Sequence, residues 1–263
     1  MPESVTTSDG VALRFVRVGE GRRVVCLHAM MTDGRYFGAR RDNGFAGVLG
    51  CEVRVADFRG HGDSVPPVAG KDDWSFDDLV EKDLPALVDG ADAIIGHSLG
   101  GLVALAGIAT GTIAPPKRLV IAATNVWLGG GISRTAIMAA YRGVTALFGK
   151  APIRALHVGT ADESKTYVAQ LTGWQRSGRW TSLAGVDYMA ALDHITVPTL
   201  VIAGAADWVC TPDDAAVIAR RLRTDVRIVG TKYGDPIDPD HFQLFTRPEL
   251  TALRDEIARF VTS

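Results

Sequence analysis

Two short alternating runs of apolar and polar residues, 4–8 and 11–18, flank Asp9-Gly10, a dipeptide that favours a tight hairpin turn. A third run, 23–27, follows the glycine turn at 19–21 and is nearly all apolar. From there strand-like and helix-like periods alternate. Runs rich in Val, Ile and Leu predict buried strands at 53–57, 91–95, 118–123, 199–203 and 225–229. Helical spacing predicts helices over 75–88, 99–110, 212–223 and 248–261. Ser75, Thr211 and Thr246 each stand where a side chain caps a helix start, with an acid three residues later. Pro85 lacks an N–H and is expected to end or kink the first of these helices. Strands separated by helices describe an α/β fold, a mostly parallel sheet with both faces covered, and the opening hairpin adds an antiparallel edge.

The rhythm breaks after residue 125. Between there and residue 194 no run reads as a strand, while Ile137, Met138, Tyr141, Val144, Leu147 and Phe148 recur at helical spacing. They predict an amphipathic helix over 133–148, with shorter candidates at 162–171 and 186–192. A compact domain rarely tolerates so long a connection without structure of its own. The division that follows is a core made of 1–125 and 195–263, with a helical cap, 126–194, inserted between two strands over one end of the sheet.

Composition narrows the class. The 263 residues are 47% hydrophobic and 22% charged, with a formal net charge of −2. A chain of this length buries enough surface to need no disulfide or metal staple. The balance of charge and the lack of a basic block argue against a nucleic-acid or anionic-membrane partner. Cys26, Cys51 and Cys210 are too far apart to suggest a disulfide framework or a metal knuckle. No apolar run approaches the ~18 residues of a membrane span, and the first ten residues lack a signal-peptide pattern. The expectation is a reduced, cytoplasmic protein without stable membrane insertion; whether it is a monomer or a homodimer is not set by these features.

The chemistry centres on Gly96-His97-Ser98-Leu99-Gly100, a G-x-S-x-G motif between a strand and a helix. A strand turning sharply into a helix strains the serine backbone and lifts its hydroxyl clear of the sheet, and side chains two residues away on either side would collide. Ser98 is therefore the candidate nucleophile, and a hydroxyl needs a base. Of six histidines, His241 stands alone in a loop after the last strand, in the Ser…Asp…His order of one triad architecture. His28, His61, His97, His157 and His194 read as structural or pocket-wall residues. Asp207 follows the strand 199–203 at the carboxyl edge of the sheet, where open α/β sheets bind ligands. Its rivals Asp235, Asp238 and Asp240 read as solvated charges, and the alternative position after the preceding strand holds Thr124-Asn125. Backbone N–H groups of Leu99 and Met30 are the candidate oxyanion donors. Met30 and Met31 suit a pocket lining equally well. No histidine and carboxylate spacing resembles a zinc pattern.

These motifs, with Asp57-Phe58-Arg59-Gly60-His61-Gly62-Asp63-Ser64 after the fourth strand and Asp240-His241-Phe242 near the end, resemble the α/β-hydrolase superfamily across essentially the whole chain. The resemblance implies an eight-stranded sheet, a Ser98/Asp207/His241 triad, a cap after the sixth strand and no cofactor or metal. One departure is His28-Ala29 where the family usually carries His-Gly, and alanine allows the loop that bears Met30 fewer backbone conformations. A serine nucleophile separates the chain from epoxide hydrolases and haloalkane dehalogenases of this fold, which use aspartate. The expected reaction is hydrolysis of a carboxylic ester of a small to medium, largely apolar molecule through an acyl-enzyme. Thioester, lactone and C–C bond hydrolysis and perhydrolysis occur on the same three residues, and a small-molecule receptor role is a remoter alternative. Candidate pocket residues are His28, Met31, Trp127, Met138, Tyr141 and Trp208. Trp127, Met138, Tyr141, Phe148, Trp174, Trp180 and Tyr188 either face an apolar substrate or form the cap's own core. Arg134, Arg142 and Arg154 meet an anionic group or simply face solvent.

Overall fold

The computed structural model describes residues 3–39, 44–64, 73–128 and 131–263, so Gly129 and Gly130 of the expected cap lie outside the described residues. The strands are β1 (Glu3–Thr6), β2 (Ala12–Val18), β3 (Arg23–Leu27), β4 (Glu52–Asp57), β5 (Ala93–His97), β6 (Arg118–Ala122), β7 (Lys150–Ala151), β8 (Glu163–Ser164), β9 (Thr199–Gly204) and β10 (Val226–Val229). Eight of them form one sheet in the order β1-β2-β4-β3-β5-β6-β9-β10. Only the pairings of β2 with β1 and with β4 are antiparallel, so the sheet is the mostly parallel one the pattern predicts. The chain steps outward from β3 to β4 and returns to lay β5 on the other side of β3. That reversal opens a crevice at the carboxyl ends of β3 and β5, the usual ligand position in such sheets. Leu27 is in register with Gly96, so the loop after β3 and the turn after β5 begin side by side.

The helices are α1 (Phe76–Asp78), α2 (Leu84–Leu87), α3 (Leu99–Ala109), α4 (Ile132–Phe148), α5 (Lys165–Ser177), α6 (Tyr188–Ala191), α7 (Pro212–Arg221) and α8 (Thr251–Thr262). Pro85 neither ends nor simply kinks the first. A π-helical stretch, Leu79–Asp83, joins α1 to α2, with the Leu84 N–H reaching back five residues to the Leu79 carbonyl. Widening the helix by one residue just ahead of the proline carries the chain past the missing donor. The capping boxes at Ser75/Asp78 and Thr211/Asp214 form as read. The third does not: the Thr246 hydroxyl donates to the Phe242 carbonyl at 2.7 Å, and α8 starts only at Thr251.

Between β6 and β9 the chain forms α4, a ribbon of β7 and β8, α5 and α6. The ribbon has two residues per strand, too few for any periodic signal. Within α4 only Met138 and Thr145 are buried. Trp174, Trp180 and Tyr188 pack with Phe76, whose ring lies edge-on to Trp174 at 5.0 Å and to Tyr188 at 5.6 Å. These three aromatics are thus core, and Phe148 is exposed. Buried Asp77 ties the segment to α1 by accepting from Tyr188 Oη at 2.9 Å, Gln170 Nε2 at 2.8 Å and Leu183 N at 2.6 Å.

The loops at the crevice are held by buried polar groups. Arg59 is paired with Asp83 through Nε at 2.7 Å and through its backbone N–H at 2.8 Å, and reaches Asp9 at 3.0 Å. His28, at the end of β3, donates from Nδ1 to the Ala29 carbonyl at 2.7 Å and accepts the Phe58 N–H on Nε2 at 3.2 Å, which joins the loops after β3 and β4. Burial, with His61 close by, pushes the His28 pKa down to about 3. The folded His28 stays neutral where the unfolded chain, with its imidazole near 6.5, takes up a proton, so this residue's stabilisation is complete above pH 6.5 and is lost as pH falls towards 3. Replacing His28 by Asn isolates the effect. In urea titrations the wild type should lose about 1.4 kcal/mol per pH unit relative to His28→Asn between about pH 6 and 4.5; parallel profiles for the two proteins would contradict it.

Candidate active site

The turn after β5 is shaped by close approach. Ser98 has φ 51° and ψ −110°, a backbone conformation rare outside glycine. A Cβ on Gly96 would lie 2.5 Å from the Gly101 backbone, one on Gly100 2.2 Å from the Leu27 carbonyl oxygen, and one on Gly101 2.1 Å from Thr124 Oγ1. None of these neighbours except the Thr124 side chain has freedom to move. The Ser98 N–H donates to the Ala122 carbonyl at 2.9 Å and the Gly100 N–H to the His28 carbonyl at 3.0 Å, which pins the turn between β3 and β6.

Asp207 sits just past β9, buried, and both of its oxygens are engaged. Oδ1 accepts the N–H groups of Val209 and Cys210, each at 2.8 Å, and Oδ2 accepts Nδ1–H of His241 at 2.8 Å. With its proton committed to Nδ1, His241 keeps the Nε2 lone pair available. Ser98 and His241 line one cavity. The structure therefore pairs Asp207 with His241 and sets Ser98 on the wall of the same cavity as His241. It also shows what holds the rejected acids: Asp235 is buried, contrary to the solvated charge expected, while Asp238 is exposed and Asp240 half-buried, each with a local backbone bond. Asp235 binds Arg227 at 2.7 Å and the Gly230 N–H at 2.9 Å, and Asp238 takes the Thr231 N–H at 2.7 Å. Asp240 caps the Phe242 N–H at 3.0 Å. Among the other histidines, His157 and His194 are exposed.

His97 points away from the cavity, and its position carries information that its place beside the serine did not. Its Nε2–H donates to the His241 backbone carbonyl at 2.8 Å, and its ring stacks on Tyr36 at 4.6 Å with planes 12° apart. Burial and the neighbouring His241 hold its pKa well below 6.5, so it stays neutral with one proton for that bond.

Leu99 opens α3, where backbone N–H groups lack intrahelical acceptors. The Ala29 carbonyl takes the His28 Nδ1–H at 2.7 Å and the Thr32 hydroxyl at 2.9 Å. In a trans peptide the N–H points opposite to the carbonyl, so the Met30 N–H faces away from these donors. His28 itself does not line the cavity, contrary to its assignment as a pocket residue: it is fully buried beneath the loop and fixes the loop's direction. Met31, which follows Met30, has φ 62°.

The cavity has a volume of about 520 Å³. Met30, Met31, Trp127, Met138, Tyr141 and Trp208 all line it, as read from the sequence. Ile153, Leu156 and Val158, from the stretch after β7, and Tyr167 and Leu171 of α5 also line it. Ile153, Leu156 and Val158 carried no distinguishing signal because they lie in irregular chain, while Tyr167 and Leu171 fall in the helix expected over 162–171. No Asp, Glu, Lys or Arg is among the lining residues. Arg134 is paired with Asp214 and lies over the Trp127 ring at 5.0 Å, Arg154 reaches Asp162 at 3.8 Å, and Arg142 is exposed. None of the three is placed to meet a ligand there. Among the described residues no group of three or more His, Cys, Asp or Glu is arranged to hold a metal ion, and no helix is long and apolar enough to cross a membrane.

Comparison with known proteins agrees with this architecture. No curated protein sequence matches the chain. An esterase from Exiguobacterium antarcticum superposes with a TM-score of 0.72 at 18% identity, covering 100% of both chains. A bromoperoxidase from Bacillus anthracis gives 0.73 at 15% identity, again over 100% of both. A hydrolase from Pseudomonas aeruginosa PA01 gives 0.63 at 24% identity over 100% of this chain and 98% of its own. At such identities the likeness speaks for the fold. The model of the alpha/beta hydrolase family matches residues 24–252, nearly the whole sequence, and with the eight-stranded sheet and the strand–serine–helix turn already described, the chain belongs to the alpha/beta hydrolase family.

Proposed function

We propose that this hydrolase cleaves carboxylic esters of uncharged, largely apolar molecules through an acyl-enzyme on Ser98. The observation that carries the reading is the pairing of His241 Nδ1 with buried Asp207 at 2.8 Å beside a cavity that also exposes Ser98. His241 Nε2 takes the Ser98 proton as Oγ attacks the ester carbonyl carbon. The N–H groups of Leu99 and Met30 hold the oxyanion. Collapse expels the alcohol, which leaves with the proton from His241. Water then gives a proton to His241 and attacks the acyl carbon; the carboxylic acid departs and the proton returns to Ser98. Asp207 keeps the imidazole in the required tautomer and stabilises its charged form. The segment 126–194 acts as a cap that supplies the apolar wall, with Trp127, Met138 and Tyr141 facing the substrate.

Two measurements test this. With short p-nitrophenyl esters, Ser98→Ala should lose about 10⁶ in kcat, and turnover surviving above about one part in 10⁴ would rule out Ser98 as the nucleophile. The absence of charged side chains from the lining predicts the second. A hexanoyl ester should be hydrolysed with a kcat/KM at least about 100-fold above that of its ω-carboxylate analogue, because burying an unpaired carboxylate costs several kcal/mol. Equal rates would contradict an uncharged substrate.

A further inference from the structure

Glu163, on β8 of the segment between β6 and β9, is completely buried, yet it belongs to none of the motifs. Its Oε1 accepts the backbone N–H of Met31. The same oxygen lies 3.2 Å from His61 Nε2, while His61 Nδ1 lies 2.8 Å from the Arg59 carbonyl. Both ring nitrogens of His61 thus face acceptors. Burial disfavours a charge on this ring, but the Glu163 carboxylate and the Arg59 carbonyl outweigh it and raise its pKa above 6.5. Glu163 Oε1 thus lies between two groups, the Met31 N–H and His61 Nε2, that fix it as an acceptor, while Oε2 is buried without a partner.

The other side of Met31 is held by the same segment. Its carbonyl accepts the N–H groups of Thr160 at 2.8 Å and Ala161 at 3.3 Å. Gly159 lies so close that a Cβ there would stand 2.3 Å from that carbonyl oxygen. Met31 is not glycine, and its φ of 62° costs of order 1–3 kcal/mol, a conformation that persists only where its surroundings impose it. Here they do: one stretch, 159–163, grips both the N–H and the C=O of the strained residue. The peptide preceding Met31 carries the Met30 carbonyl, so its plane sets the direction in which the chain leaves Met30. Ala29 stands where glycine would have given the loop more freedom, and the external clamp provides the conformation instead.

We propose that Glu163 is a positioning residue for the oxyanion loop: by holding Met31 in its left-handed conformation it aims the Met30 N–H at the carbonyl undergoing attack. The inference rests on the reading of Ser98 as nucleophile and Met30 as a donor. It makes the inserted segment part of the catalytic geometry and not only a wall of the pocket.

The test uses the full chain, a p-nitrophenyl ester and an alkylboronic acid, which forms a tetrahedral adduct on an active serine. Glu163→Ala should lower kcat by about 100-fold, the loss typical of one oxyanion donor, with KM within threefold. Affinity for the boronic acid should fall in parallel with kcat, a change that a purely structural role would not produce at unchanged KM. If Glu163→Ala does not fold, Glu163→Asp carries the test: it keeps a carboxylate in place but draws it back from the Met31 N–H by one methylene. The same pattern is then expected, reduced to about tenfold or more. A folded variant with kcat and boronic-acid affinity within threefold of wild type overturns the proposal. So does a loss confined to KM. Ser98→Ala in parallel separates the two ideas, since wild-type turnover in that variant removes the nucleophile whatever Glu163 does.

Discussion

Helix α3 can begin where it does only because nothing but hydrogen occupies three positions at its root. Gly96, Gly100 and Gly101 meet backbone or side-chain atoms of Gly101, Leu27 and Thr124 at distances of 2.1–2.5 Å from where a Cβ would be. This close approach seats the start of α3 against the ends of β3, β5 and β6. The strain it imposes on Ser98 is compensated by hydrogen bonds to Ala122 and from Gly100 to His28. The rest of the carboxyl edge is arranged around that turn. The loop after β3 docks on it through the His28 carbonyl, and Asp207 and His241 approach it from the far half of the sheet.

A second level of organisation is the protonation of four imidazoles within a small volume. His28 carries its proton on Nδ1, for the Ala29 carbonyl, and His97 on Nε2, for the His241 carbonyl. His241 carries its proton on Nδ1, for Asp207, and His61 faces acceptors on both nitrogens. Each state is dictated by the partner, because in a buried site the cost of an unmatched donor or acceptor decides the tautomer. Burial keeps His28 and His97 neutral, while the Glu163 carboxylate raises the pKa of His61. Charge is thus kept away from the loop and strand ends that frame the cavity, except where a carboxylate faces it.

The strands and the turn that carries Ser98 were legible because their signals are local. Val24–Leu27 and the glycines around Ser98 declare burial and close approach within a few residues. The placement of Asp207 and His241 was legible from chain order and strand ends. What escaped depends on contacts between distant segments. Glu163 lies 132 positions from Met31, in a strand of two residues, and nothing near it in sequence marks it as buried. His28 was read as a pocket residue from its position after β3, but the direction of a side chain at a strand end is set by the loop that covers it. Likewise the aromatic residues of the inserted segment divide by packing. Trp174, Trp180 and Tyr188 are claimed by Phe76 and Asp77, while Trp127 and Tyr141 are left to the cavity. Asp235 was read as solvated because the sequence does not show that Arg227 of β10 faces it.

The central claim is that Ser98, raised on a strained turn and served by His241, forms a covalent acyl intermediate. Reaction with an alkyl fluorophosphonate, followed by proteolysis and mass spectrometry of the peptides, addresses it directly. The account predicts a single stoichiometric adduct on Ser98, with ester hydrolysis lost in proportion to labelling. Hydrolysis that persists in fully labelled protein, or an adduct on another residue whose formation tracks the loss of activity, would contradict it.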